Sequence, residues 1–151
     1  MPSKTHVQQC AALICAYISA DDEGCDALRK TLALTNRQWY ESATILCAAV
    51  LDLIAFHLDS HPHDVIGQSG QSRRDVFPGP RQLLEAQNVV VYYDLHRQVP
   101  ARESTDADLV PSLFDIAVTA IEQLAQLWRR PAVEVARLLT LGAATYEGKV
   151  W

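Results

Sequence analysis

The sequence predicts an all-α fold: one domain, 1–151, built as a bundle of five or six helices around a long apolar helix at about 36–59, with no sheet. Three observations carry this. Apolar residues recur at helical spacing through most of the chain. Capping motifs and prolines fall where those periodic stretches begin and end. The one stretch with strong strand propensity, Asn88-Val-Val-Val-Tyr-Tyr93, has no second strand to pair with.

The first helix is expected from about His6 to Ser19. Thr5-His-Val-Gln8 has capping-box form, and Val7, Cys10, Ala11, Ile14 and Ile18 follow at helical period. Asp21-Asp22-Glu23 then supplies a cap and negative charge for a short second helix, with Cys25, Leu28 and Leu32 on its apolar edge.

Thr35-Asn-Arg-Gln38 repeats the capping box and opens the long helix. Its polar residues Arg37, Glu41, Asp52 and Asp59 fall on one narrow stripe that also holds Ala48 and Ala55, and the remaining directions are apolar. A helix apolar nearly all round belongs at the centre of a bundle. The stripe is expected to face solvent, leaving Asp52 an ordinary surface carboxylate that makes no convincing dyad with another carboxylate at helical spacing.

Residues 60–79 contain three glycines and two prolines without a sustained period. They read as a flexible loop, most mobile at 67–75. A helix at 80–98 follows, with Pro80 at its first position and Leu84, Asn88, Val91 and Leu95 on one face. Val99-Pro100 ends it. The next helix is capped at Asp108 or Val110 and tolerates Pro111 in its first turn. Leu113, Ala117, Ala120, Leu124 and Leu127 form its core face; Asp115, Thr119, Glu122, Gln126 and Arg130 form its wet face. Pro131 separates it from a last helix with Val135, Leu138 and Leu139 inward. The core is expected to include Trp39, Leu46, Val50, Leu53, Leu113, Leu124 and Leu138.

A formal net charge of −5 argues against general polyanion binding, and the deficit is even: 6 basic and 9 acidic groups in residues 1–75, 7 and 9 in the rest. Arginine outnumbers lysine ten to three, a coding bias without mechanistic content. The start lacks a secretory pattern, and the longest apolar run, Ile45–Leu58, interrupted by Asp52 and His57, is 14 residues against the roughly 20 a membrane span needs. A soluble, cytoplasmic chain without a membrane partner is expected. Cys10, Cys15, Cys25 and Cys47 have no CxxC spacing and sit among alanines and leucines, so they read as reduced, buried thiols.

Two constellations bear on chemistry. His57, His61 and His63, with Asp64, are spaced so that two imidazoles could share a helical face and a loop residue complete a zinc shell. There is no HExxH, and the plainer reading is a histidine at a helix C-terminus followed by a loop. Residues 124–139 have helix-turn-helix spacing, with Arg129, Arg130 and Arg137 as the groups that would meet DNA. Arg129 stands where a glycine usually makes the turn, so an ordinary bundle corner is the competing reading.

No catalytic residue and no cofactor are expected. The leading functional expectation is a non-enzymatic interaction or regulatory protein acting through helical surfaces, with a protein partner or a second copy of itself. A DNA-binding regulator and a metal-dependent enzyme are the alternatives.

Overall fold

The computed structural model describes residues 4–19, 21–32, 34–58, 82–100 and 106–144. Among them are six helices and no strand: α1 Lys4–Ile18, α2 Asp22–Leu32, α3 Asn36–Leu58, α4 Leu83–His96, α5 Asp106–Trp128 and α6 Ala132–Ala144. The Asn88–Tyr93 stretch is helical, inside α4. The expected loop at 60–79 lies outside the described residues.

Local chemistry accounts for the helix ends. At α3 the capping box closes in both directions: the Gln38 amide donates to Thr35 Oγ1 at 3.1 Å, and the Thr35 amide donates to Gln38 Oε1 at 2.9 Å. At α2 the Gly24 amide donates to Asp21 Oδ1 at 2.9 Å. A Cβ on Gly24 would run into that carboxylate. The box read at Thr5 does not begin α1, because the helix already includes Lys4. The start of α4 is tied by another helix: the Gln82 amide donates to Ser112 Oγ of α5 at 2.8 Å.

The helix α5 begins at Asp106, so Pro111 lies within it, past the first turn expected for it. At the other end of α5, Arg129 is left-handed (φ 55°), with the Arg130 amide bonded to the Ala125 carbonyl at 3.0 Å and the Arg129 amide to the Gln126 carbonyl at 3.3 Å. This is a Schellman ending in which arginine holds the position glycine takes most readily. Arg97 ends α4 in the same left-handed region (φ 56°), its amide bonded to the Tyr93 carbonyl at 2.7 Å.

One continuous core draws on all six helices. The central helix α3 lies against α1, α4 and α5. It is long and apolar enough to cross a membrane by composition alone, yet its middle, Ser42 to Leu51, is wholly buried within the bundle. The Cys47 thiol donates to the Leu113 carbonyl of α5 at 3.1 Å, and Tyr17 of α1 meets Phe114 of α5 edge to face with centroids 5.4 Å apart. The Tyr40 hydroxyl donates to the Pro100 carbonyl at 3.0 Å, while Arg97 reaches Asp52.

Of the expected core, Trp39, Leu46, Val50, Leu113 and Leu124 are buried. Leu53 is only half-buried and Leu138 is 43% exposed, which corrects both. In α6 the buried stripe is Val135, Ala136 and Leu139: the small Ala136 faces the bundle and turns Leu138 outward. The stripe on α3 is not a solvent face either. Ala48 and Ala55 are buried, and the Glu41 and Asp52 side chains keep only 17% and 27% exposure. Asp115, expected on a wet face, is buried, because α5 is enclosed on every side from Leu109 to Val118. Its polar face opens only further along, at Gln126.

Candidate functional site: the outer face of α4

The helix α4 carries two apolar stripes. Ala86, Val89, Val90 and Tyr93 are buried against α3 and α5. At 100° per residue, Leu84, Asn88, Val91 and Leu95 form the diametrically opposite stripe. This is the face read from the sequence spacing; it is exposed at Leu84, Asn88 and Leu95, while Val91 is half-buried against the core. Leu84 is 73% exposed, Leu95 68% and the adjoining Tyr92 41%. Tyr92 packs on His96 with ring centroids 4.4 Å apart and planes tilted by 46°.

The last turn of α3 also exposes apolar side chains. Asp52 of α3 lies beside the C-terminal end of α4, and one turn further along the same stripe of α3 comes Phe56, 89% exposed. Leu58 follows at 44%. Taking about 200 Å² for each large apolar side chain, Leu84, Leu95 and Tyr92 of α4 together expose on the order of 350 Å², within the range of the largest apolar patch on a typical monomer, which is often a functional one.

A polar cluster underlies the seam. The Arg97 guanidinium stands 3.5 Å from Asp52 Oδ2 and 3.9 Å from Asp94 Oδ1, and also lies over the Tyr93 ring at 5.8 Å. Partial burial first, and the neighbouring Asp94 second, push the Asp52 carboxyl up to about 7, against the opposing pull of Arg97. Sequence spacing missed this carboxylate pair, because its members sit on different helices and meet only through tertiary packing.

The other candidates come together less well. His57 is exposed at the end of α3; His61 and His63 lie outside the described residues, among which no cluster of three metal-ligating side chains occurs. Burial pushes the Cys10 thiol up to about 12 and the Cys47 thiol well above its usual value, which makes both poor thiolate nucleophiles.

At the α5–α6 corner, Arg129, Arg130 and Arg137 are exposed. Arg130 is paired with Glu134 at 2.6 Å, and Glu134 lies one turn before Arg137 on α6. The corner holds a shallow groove of about 400 Å³ between Glu122, Gln126, Arg129 and Arg130, so acids interleave with the bases. Such alternation gives a weak phosphate-facing potential compared with an unbroken basic strip.

Compared with protein families, with curated proteins and with solved structures, the chain matches none. Its function therefore rests on its own residues.

Proposed function

We propose that this chain is a non-enzymatic interaction protein that binds another protein surface through the outer face of α4 and the adjoining end of α3. The observation that carries this reading is the second apolar stripe of α4, whose two ends the described helices leave exposed: Leu84 and Leu95 are largely in water while the opposite stripe is buried. Exposing several large apolar side chains on one face is unfavourable for a monomer, and such a face commonly marks a binding surface. The cluster of Arg97, Asp94 and Asp52 suits a polar rim beside an apolar centre.

The test is purification of the tagged chain from its native host alongside the variant Leu84→Glu/Leu95→Glu. Both substitutions lie outside the core, so the variant should keep its helical content and melting temperature. A protein, whether another chain or a second copy, should accompany the wild type in near-stoichiometric amount and be lost from the variant. Equal recovery with both forms would overturn the reading, as would a specific nucleic acid or a bound metal in place of a protein.

A further inference from the structure

We propose that Asp52, Asp94 and Arg97 form a proton-operated latch that holds the last turn of α4, and the residues that follow it to 100, against α3. Three contacts tie this segment down. The Arg97 guanidinium serves both carboxyl groups, 3.5 Å from Asp52 Oδ2 and 3.9 Å from Asp94 Oδ1. Val99 packs on the core. The Pro100 carbonyl accepts from the Tyr40 hydroxyl of α3 at 3.0 Å. Of the three, only the first carries ionised groups.

The seam holds two acids and one base. Both carboxyl groups reach the same guanidinium nitrogen, and they share a hydrogen bond with each other. A hydrogen bond between two carboxyl groups needs a proton on one of them. With that proton in place the cluster is neutral: one acid, one carboxylate, one guanidinium. Without it a second negative charge is held mostly out of water against the first, the two side chains being 27% and 18% exposed, and one guanidinium faces both. One turn either way from Asp52 on α3 stand Ala48, Ala49, Ala55 and Phe56, none of them charged. On α4, His96 turns to Tyr92. Among the described residues Asp94 and Arg97 are the charged groups that act on Asp52, and α1 and α5 bring none.

The backbone is poised to let go. Arg97 closes α4 in the left-handed region (φ 56°), which a residue other than glycine adopts reluctantly. Its own contacts hold it there: the amide bonds to the Tyr93 carbonyl at 2.7 Å, and the guanidinium lies over the Tyr93 ring and against the two acids. When the shared proton leaves, Asp52 and Asp94 repel across the seam, and the last turn of α4 opens from α3. Leu95 sits in that turn, so the latch also sets the position of one end of the exposed apolar stripe.

Native-state hydrogen exchange of the wild type beside Asp52→Asn, at pH 5 to 8 and corrected for the intrinsic pH dependence of exchange, tests the latch. The Arg97 amide should be protected at pH 5, though less than the core amides of α3 at 46–51, which marks local opening. Its protection should fall about fivefold by pH 8, in step with release of the shared proton. In Asp52→Asn it should stay level, since asparagine keeps the hydrogen bond to Asp94 without a titrating proton. His57 and His96 are common to both proteins, so the difference isolates the seam. Asp94→Asn, the mirror substitution, should give a level profile too. An Arg97 amide that is unprotected at pH 5, that exchanges only as fast as the core amides, or whose pH profile is the same in wild type and Asp52→Asn would overturn the latch.

Discussion

Replacing Asp52 by asparagine should remove a pH dependence of stability that the wild type carries. Asp52 titrates at about 7 in the folded chain against an ordinary 3.8. The folded state therefore holds a proton that the unfolded state releases. The stabilisation from that proton is complete below pH 3.8 and is lost as pH rises towards 7. At 1.36 kcal/mol per unit, the full shift would correspond to about 4 kcal/mol, and solvent access to the half-buried carboxyl reduces this to about 1–2 kcal/mol.

The asparagine side chain mimics the protonated acid: its amide can donate to Asp94, and Arg97 is left to pair with Asp94 alone. Between pH 5 and pH 8, which covers about 60% of that window, the wild type should lose about 1 kcal/mol more stability than Asp52→Asn, a difference of about 2–4 °C in melting temperature. Urea unfolding of both proteins at pH 5, 6, 7 and 8 measures it, and taking the difference removes the histidine titrations the two share. An Asp52→Asn variant less stable than wild type at pH 8, or two parallel pH profiles, would refute the account of the seam.

Three further outcomes follow from the packing. Leu46→Ala, at a fully buried site, should destabilise by about 2–5 kcal/mol in chemical unfolding, and Leu53→Ala, half-buried, by clearly less. Arg129→Gly should stabilise by about 0.5–1 kcal/mol in thermal melts, because arginine is held left-handed where glycine fits freely. Thr35→Ala should remove half of the reciprocal cap on α3 and lower stability by about 1 kcal/mol, measured the same way.

Much of the fold is legible in the sequence because it is written in short-range signals. The Thr35–Gln38 box and the Pro131 stop act over one turn of chain, and the observed helices start or end beside them. The choice of face is not so written. The stripes Leu84/Leu95 and Val89/Val90 of α4 are both apolar, so only the neighbouring helices decide which is buried. In α6, Leu138 outweighs Ala136 in hydrophobicity, yet the smaller side chain faces the bundle. The period of α5 puts Asp115 on a wet face, but the first half of that helix is covered on all sides. The Asp52–Asp94 pair is invisible for a related reason: helical spacing relates residues within one helix, and this contact crosses two.

Capture of the tagged wild type from its native host beside Leu84→Glu/Leu95→Glu decides whether the outer face of α4 is a binding surface. A protein should accompany the wild type in near-stoichiometric amount and be lost from the variant, whose helical content and melting temperature should be unchanged. Equal recovery with both forms, or no protein with either, would contradict a binding role for this face.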